Sequence, residues 1–392
     1  MKKRNALVLV LLAFINFGCM STSKTIIVEV KNNLNLDRNF ETIEVDLTNI
    51  KTLNEDTKSY KVIDIETNLE IITQLVDVTN DGNPDVLLFQ PEIKANATKQ
   101  FSIVPLNTNN DTLPMRCYSR FVPERTDDYA WENNRVAFRT YGPTAQKMVE
   151  DGVKGGTLSS GIDAWLKRVE YSIIDKWYEK YVNKTGSYHE DTGEGLDNFH
   201  VGVSRGIGGI SYKADTTYVF SKNFISWKTI TNGPIRTSFT LEYDTWDANG
   251  KSIKETKHIS LDYGQNLSKF EIDIEGVDNI SAGITLHKQD GEVYMNNDHG
   301  FVSYWEPLDD SELGMGLVSV NNFLGAEKYV TSKTDESNLY MHLKVNNDKV
   351  TYYTGFGWKK SGQFNTHEDW KKYLSVFSEK VNNPLQVSIK TN

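Results

Sequence analysis

Cysteine is scarce in this sequence, which has only Cys19 and Cys117 among its 392 residues. If Cys19 carries a lipid, as its surroundings indicate below, Cys117 has no partner in the chain. We therefore expect no intrachain disulfide, and a hydrophobic core must hold the fold together. A chain of this length can bury such a core as one large β domain or as two domains.

Long apolar runs are also scarce. The most apolar stretch covers residues 6–17, is broken by Asn16, and is shorter than the ~20 residues that a helical membrane span needs. No later segment is apolar enough to cross a bilayer. We therefore expect the membrane to be reached through an acyl anchor only.

The first 25 residues have the layout of an export signal. Three basic residues at positions 2–4 precede the apolar stretch, and Gly18 and Cys19 follow it. This order is typical of a lipobox, and an ordinary secretion signal with an incidental cysteine is the alternative. We predict a signal peptide over residues 1–18, a lipidated Cys19 with a tether to residue 25, and a single β-sandwich domain over residues 26–392. Because residues 21–25 carry no acidic run, we expect an outer-membrane anchor that faces the periplasm.

Positive charge is in deficit, since the formal net charge is −10. Loss of the three basic signal residues would make the mature chain more acidic still. Such a chain has no excess of positive charge to neutralise a phosphate backbone, so we expect no nucleic acid as a partner. An anionic ligand would have to be held by a local basic pocket.

Strand patterns dominate the rest of the chain. Ile43, Val45 and Leu47 alternate with acidic residues, and residues 270–274 show the same alternation. Alternation of this kind is typical of half-buried strands, and Asn, Asp and Gly between the runs are typical of turns. We therefore predict a mainly β fold, a large antiparallel β-sandwich with one principal helix.

The helix is predicted near residues 162–181. Apolar residues recur there at three- and four-residue spacing, at Trp165, Val169, Ile173 and Trp177. This spacing is typical of an amphipathic helix that packs on a sheet.

Residues 77–85 resemble a calcium loop, because oxygen-bearing side chains alternate around Gly82. The segment lacks a glutamate at the closing position and lies between two apolar strands. We favour a plain hairpin turn.

A glycine-rich polar segment, residues 186–209, is the most unusual part of the sequence. It combines Tyr188, His189 and Asp197 with acidic residues and several glycines. Loops that carry such groups are frequent sites of catalysis, and glycine lets the backbone approach a ligand closely. The alternative is a solvated acidic loop in which His189 has no role.

Signals for metal or covalent chemistry are weak. His189, Asp191 and His200 offer donor atoms, but their spacing matches no familiar zinc pattern. No Gly-x-Ser-x-Gly motif is present, and the glycines at 206–209 lack a phosphate-loop setting. We expect no metal and no cofactor.

Arginines and aromatic residues suggest an acidic sugar as ligand. A guanidinium grips carboxylate or sulfate in a bidentate way, as Arg125, Arg135, Arg139 or Arg205 could, although each could equally be a structural ion-pair partner. The 19 Tyr and 8 Trp residues are compatible with carbohydrate contact, and equally with an aromatic-rich sheet.

Three long motifs resemble one known family. They are RTDDYAWENNRVAFRTYGP at residues 125–143, YHEDTGEGLDN at residues 188–198, and ITLHK at residues 284–288. The family was first catalogued as a domain of unknown function and is grouped with galactose-mutarotase-like sandwiches. Some members, from marine polysaccharide-degrading bacteria, are dehydratases of ulvan oligosaccharides. The resemblance covers roughly residues 25–390.

The reaction implied by this resemblance is loss of water from the uronic acid at the non-reducing end, which gives a 4,5-unsaturated sugar. A base must remove the C5 proton, an acid must protonate the departing 4-hydroxyl, and a positive or protonated group must neutralise the carboxylate. The partner would be an acidic, uronic-acid oligosaccharide, which can also be sulfated.

Site roles follow from this reaction as hypotheses. The candidate catalytic residues are His189 with Tyr188 as its partner, Arg205 for the carboxylate (Arg135 is the alternative), and His287 as the alternative base. The candidate substrate-binding residues are Arg125, Trp131, Asn133, Asn134, Arg135, Glu194, His200 and Trp305.

Three alternatives remain open at this point. A polysaccharide lyase would use the same base but release a sugar instead of water. A mutarotase or epimerase would use the cleft without elimination, and a glycan-binding lipoprotein would need only aromatic residues and Arg. The density of titratable groups around His189 favours an enzyme.

Overall fold

The structure, a computed structural model, describes residues 26–48, 50, 57–108 and 113–391. The predicted signal peptide, Cys19 and its tether lie outside the described residues. None of the helices in the described part has the length and apolar character needed to cross a membrane.

Strands are the predominant secondary structure of the described chain. In chain order the first are β1 (Ile26–Lys31), β2 (Ile43–Asp46), β3 (Ser59–Asp64), β4 (Glu70–Ile71), β5 (Thr73–Val76), β6 (Val86–Phe89), β7 (Thr98–Leu106), β8 (Tyr118–Val122), β9 (Asp128–Glu132) and β10 (Ala137–Thr140). The next are β11 (Asp163–Lys167), β12 (Gly195–Leu196), β13 (Ile207–Ala214), β14 (Thr217–Val219), β15 (Phe224–Thr231), β16 (Arg236–Tyr243), β17 (Trp246–Ala248), β18 (Lys251–Asp262) and β19 (Leu267–Glu275). The last are β20 (Asn279–Thr285), β21 (Glu292–Asn296), β22 (Phe301–Leu308), β23 (Ser311–Ser319), β24 (Phe323–Tyr329), β25 (Asn338–Lys344), β26 (Lys349–Trp358) and β27 (Gln386–Thr391).

The helices of the described residues are few and peripheral. They are α1 (Pro143–Glu150), α2 (Ile174–Val182) and α3 (His367–Asn382), with short 3-10 turns at Pro123–Arg125 and Lys359–Ser361. The antiparallel, mainly β fold class is therefore confirmed.

The main body is a sandwich of antiparallel sheets. The largest sheet has the order β15-β16-β18-β19-β26-β23-β22-β21, with β17 paired to β18. A five-stranded sheet, β14-β13-β20-β25-β24, lies against it, and their facing sides share one core that includes Phe270, Ile284 and Phe356. Along β19, buried Phe270, Ile272 and Ile274 alternate with more exposed residues, as the sequence pattern predicts.

A third sheet carries the functional region. Its order is β12-β11-β10-β9-β8. One face, with Trp131 and Phe138, joins the main core, and the other face, with Trp165, packs on α2. A sheet covered on both sides leaves its charged residues without water, so these residues must find partners inside the protein.

Strands β1 to β7 and β27 form a smaller pair of sheets, β27-β1-β7-β3-β4 and β2-β6-β5, around a separate core that includes Val28, Val45 and Phe101. The last strand, β27, pairs antiparallel with β1 over its whole length. Residues 77–85 connect β5 and β6, with the Asp77 carboxylate accepting backbone N–H groups within the segment. The predicted hairpin turn is confirmed.

The helix predicted over residues 162–181 is correct only in its second half. Residues 163–167 form β11, and α2 begins at Ile174. In β11 both faces are buried, because the core lies on one side and α2 on the other. Trp165 on β11 and Trp177 on α2 pack in the same cluster, because the strand and the helix fold against each other. Their spacing in the sequence resembles that of one continuous helix for this reason.

Candidate functional site

A cleft of about 560 Å³ opens where the third sheet meets the glycine-rich segment. Its floor comes from the end of β10, one wall from the segment after α1, and the other wall from residues 197–203. The lining residues are Arg139, Tyr141, Val149, Gly156, Thr157, Leu158, His189, Asp197, Asn198, Phe199, His200, Val201, Gly202 and Val203. The volume lies within the range of small-ligand sites.

Arg139 is the hub of the cleft floor. It lies on β10 directly opposite Asp163 on β11, and its Nε and a terminal nitrogen donate to Asp163 Oδ2 at 2.9 and 2.6 Å. The same terminal nitrogen donates to Asp197 Oδ2 at 2.9 Å, and the other lies 3.5 Å from Asp128 Oδ2. One guanidinium therefore faces three buried carboxyl groups.

The charges in this cluster do not balance. The charges of Arg139 and, further away, Arg125 cannot neutralise three carboxylates away from water, so the cluster favours keeping protons. Burial raises the pKa of Asp128 to about 6, against the opposing charges of Arg139 and Arg125. Burial also raises the pKa of Asp163, and burial together with the nearby charge of Asp163 raises that of Asp197 well above its ordinary value. Asp197 is the carboxyl of the cluster that lines the cleft.

Tyrosines surround the cluster. Tyr141 donates to Asp163 Oδ2 at 3.3 Å, and Tyr178 donates to Asp128 Oδ2 at 3.1 Å. The hydroxyl oxygen of Tyr188 accepts from Arg125 Nε at 3.2 Å and lies 3.4 Å from a terminal nitrogen of Arg139. Burial raises the pKa of Tyr188, and that of Tyr141 well above its ordinary value, so both hydroxyls keep their protons at neutral pH.

His189 lies at the rim with one nitrogen engaged. Its Nδ1 is 2.6 Å from the backbone oxygen of Asp197, which can only accept, so Nδ1 carries the hydrogen. In the neutral ring Nε2 is then the unprotonated nitrogen. The side chain is 54% exposed and lines the cleft, so this nitrogen is accessible to a ligand.

The loop that carries His189 and Asp197 is fixed by its backbone. Asp197 N–H donates to the carbonyl of Tyr188 at 2.7 Å, which closes the turn between them. Gly195 pairs with Lys167 in β11 at a φ of +113°, and a Cβ there would lie 1.9 Å from the carbonyl oxygen of Leu166. Only glycine allows this close approach, so β12 ties the loop to the sheet that carries Arg139.

Four other predicted site residues lie near the cleft, and of these His200 is the one that lines it. Tyr188 and Arg125 lie behind the floor, where Tyr188 is 2% exposed. His200 is at the rim, with Nε2 3.0 Å from Asp335 Oδ2. His287 lies under the wall, with both ring nitrogens bonded to protein oxygens. Of the predicted catalytic pair Tyr188 and His189, only His189 lines the cleft.

Other predicted residues are placed elsewhere, which corrects the predicted grouping. Arg205 is fully buried and bonds to Ser160 Oγ and to backbone carbonyls, with Phe220 stacked on its guanidinium. Burial lowers the pKa of Arg205 to about 10. Glu194 binds lysines of α2 and is a structural partner of that helix.

The remaining predicted ligand contacts are also structural. Trp131 is buried in the main core and donates to Ser268 Oγ at 3.0 Å. The Asn133 and Asn134 side chains bond to the backbone around residues 262–265. Arg135 donates to Asn266 Oδ1, and Trp305 stacks on His367 beside α3. Each of these side chains completes hydrogen bonding or packing away from the cleft.

Sequence reasoning missed Asp128, Asp163 and Tyr141 as members of the site. Both aspartates lie within segments of strand or expected helix, where an acidic residue normally faces solvent. A usable signal was present, because Asp163 and Arg139 are charged residues inside otherwise apolar runs. Within the described ranges, no group of three or more His, Cys, Asp or Glu side chains is arranged to hold a metal ion.

Residues 30–387 match the family described as Domain of unknown function (DUF4861), and the chain belongs to this family. It is 56% identical over 367 residues to "Uncharacterized protein P7" of Formosa agariphila, which covers 93% of each chain.

Solved structures share the architecture at low identity. A protein in the glycosyl hydrolase family 38 from Enterococcus faecalis aligns with a TM-score of 0.51 and 11% identity, over 95% of this chain. An alpha-mannosidase from the same species aligns with a TM-score of 0.49 and 10% identity, over 94% of this chain. The chain spans about half the length of these structures, at 48% and 46%. The first likeness shows the fold alone.

Proposed function

We propose that the protein is a hydro-lyase that removes water from the non-reducing-end uronic acid of ulvan-type oligosaccharides. The observation that supports this most directly is the pairing of His189 and Asp197 at one cleft. The His189 ring, whose Nδ1 lies 3.7 Å from Asp197 Oδ2, has a free Nε2 that can accept a proton, and burial raises the pKa of Asp197 so that its carboxyl group retains one. This is the acid and base combination that an elimination needs.

His189 acts as the base in this proposal. Its Nε2 removes the proton from C5 of the uronic acid, while the hydrogen bond from Nδ1 to the Asp197 carbonyl fixes the tautomer and the ring orientation. The electron pair of the C5–H bond becomes the C4–C5 double bond, and the C4–O bond breaks.

Asp197 acts as the acid. Its carboxyl proton passes to the departing 4-hydroxyl, which leaves as water. Arg139 lines the same floor, and its charge stabilises the negative charge that develops next to the substrate carboxylate. Arg139 also stabilises the Asp197 carboxylate that remains after proton transfer, and Asp163 holds the guanidinium in place.

The test uses ulvan oligomers with a saturated terminal uronic acid, followed by mass spectrometry and ultraviolet absorbance. A dehydratase gives a conjugated product that has lost one water at unchanged chain length. A rise in absorbance with shorter products would show a polysaccharide lyase instead. No change on any uronic-acid oligomer would favour an epimerase or a glycan-binding protein.

Two variants test the assigned residues. His189→Gln and Asp197→Asn each remove a proton-transfer group, and we expect kcat to fall ~100-fold or more, the usual range for such groups. His258→Gln is the matched control, because His258 is also exposed and paired with an aspartate, Asp273, but lies on the large sheet. An unchanged rate in His189→Gln would remove this residue from the mechanism.

We also propose that the protein is anchored to the outer membrane through an acyl chain, such as palmitate, on Cys19. The support is the order of basic, apolar and small residues before Cys19. Labelled palmitate should enter the wild-type chain and not a Cys19→Ser variant. Labelling of both chains would show that the lipid is elsewhere.

A further inference from the structure

The imidazole of His287 is held at both nitrogens. Nδ1 lies 2.6 Å from Glu306 Oε1, and Nε2 lies 2.7 Å from the backbone oxygen of His200. A carboxylate and a carbonyl both accept, whereas a neutral imidazole has only one N–H to donate. The two short contacts therefore require one proton more than a neutral imidazole and a carboxylate contain.

The extra proton can reside on His287 or on Glu306, and the hydrogen bond to the His200 carbonyl is the same in both cases. Either His287 is an imidazolium beside the Glu306 carboxylate, or the Glu306 carboxyl donates to a neutral ring. In both forms Nε2–H binds the His200 carbonyl. The pair is largely shielded from solvent, since the side chains of His287 and Glu306 are 13% and 1% exposed.

The surroundings favour keeping the proton. Burial lowers the pKa of His287, but the hydrogen bond and charge of Glu306 outweigh it, so that the pKa is raised. Burial raises the pKa of Glu306 despite the opposing effect of His287. The other charged groups that face the pair are Asp335, which is bonded to the His200 ring, and Lys288 and Asp290 along the chain.

The wall of the cleft depends on these contacts. Residues 197–203 form that wall, and His287 meets it twice, through the His200 carbonyl and edge-to-face with the Phe199 ring at 4.7 Å. His287 also has a φ of +40°, a strained value for a residue with a side chain. Such strain persists where surrounding contacts hold it in place.

We infer that His287 is a positioning residue: with Glu306 it forms a proton-holding clamp that sets the cleft wall beside His189 and Asp197. Loss of the shared proton at alkaline pH removes one of the two hydrogen bonds and releases the wall. The link to catalysis rests on the proposed function, whereas the clamp itself does not.

Hydrogen exchange of peptides covering residues 197–203 tests the clamp in the full chain, without substrate. After correction for intrinsic exchange, protection in the wild type should fall at alkaline pH. His287→Gln has only one amide nitrogen, which cannot reach both acceptors at once, so this variant should lose protection at every pH. In Glu306→Gln the new amide can donate to Nδ1 of a neutral His287, so protection should persist and no longer depend on pH.

His258→Gln is the control and should match the wild type. The inference is overturned if wild-type protection does not change with pH, or if Glu306→Gln keeps the wild-type pH dependence. The comparison of Glu306→Gln with the wild type remains a valid test even if His287→Gln fails to fold. With active enzyme, His287→Gln should raise KM ~10-fold and lower kcat less, since a displaced wall weakens binding first. If hydrogen exchange behaves as expected but the protein shows no dehydratase activity, the proposed function is rejected and the clamp is retained.

Discussion

Glu132 and Lys167 form an ion pair that solvent does not reach. Lys167 Nζ lies 2.6 Å from Glu132 Oε2, and both side chains have no exposed surface. The Glu132 carboxylate also accepts the backbone N–H groups of Ile173 and Ile174, where α2 begins. The pair therefore joins β9, β11 and the start of α2 behind the cleft floor.

Breaking this pair should be costly. Glu132→Gln leaves the Lys167 charge buried without a counter-charge, and we expect the free energy of unfolding to fall by about 3–5 kcal/mol. Urea unfolding monitored by tryptophan fluorescence measures the change. Glu70→Gln is the control, because Glu70 pairs with Lys61 at the surface and should cost less than about 1 kcal/mol. Equal effects of the two variants would show that burial does not decide the strength of the pair.

Two glycines of the cleft loop should respond differently to alanine. Gly193 and Gly195 both have a positive φ, but a Cβ at Gly193 meets no atom within 4 Å, whereas at Gly195 it meets the Leu166 carbonyl. Gly193→Ala should cost about 1–2 kcal/mol of stability from backbone strain alone. Gly195→Ala should cost more than about 3 kcal/mol, since it must also break the pairing of β11 and β12. Thermal unfolding compares them, and similar losses would contradict the close approach at Gly195.

Stability at low pH should depend on Glu194. Burial raises its pKa, but bonds from Lys176, Tyr171 and Trp177 outweigh this and lower it to about 2. The ionised form is thus favoured in the folded state, and its contribution is lost as the pH falls from the unfolded pKa towards 2. Unfolding free energies of wild type and Glu194→Gln should therefore converge between pH 4.5 and pH 2. A constant difference over that window would exclude a lowered pKa.

Asp128 should show the opposite pH dependence. Its pKa is raised to about 6 by burial, so its contribution is fully present below the unfolded pKa and lost as the pH rises through 6. Asp128→Asn stays neutral and keeps its oxygen as an acceptor for Tyr178. As the pH rises from 4 to 7, the free energy of unfolding of Asp128→Asn should increase relative to that of the wild type, by about 1.4 kcal/mol for each unit by which the pKa is raised. A relative loss would mean that the charge of Asp128 is needed by Arg139.

Local patterns predicted the strands well and the helices poorly. Alternation at 43–47 and 270–274 and the turn at 77–85 survive in the fold, because each depends on neighbours within a few residues. The long helix α3 was missed, although Thr366 and Asp369 form a capping box and Trp370 and Leu374 face the large sheet. Many charged residues separate the apolar positions of α3, so its amphipathic pattern is too weak to predict a helix from the sequence.

The cleft was predicted only in the part that is local in sequence. The segment 186–209 does supply His189 and Asp197. Arg139 meets Asp163 because β10 and β11 pair in one particular register, and it meets Asp197 across 58 residues of chain. Composition and spacing carry no information about such pairings. From the sequence alone, a charged residue that is buried in the sheet therefore cannot be distinguished from one that is exposed to solvent.

The pairing of β27 with β1 has a consequence for synthesis and truncation. The small N-terminal pair of sheets takes one strand from the other end of the chain, so its edge stays open until residues 386–391 have been made. Until then β1 presents unpaired backbone groups, which invite pairing with other chains. A chaperone that shields this edge would be needed until β27 is complete, and removal of the seven residues from Gln386 to Asn392 should make the protein prone to aggregation.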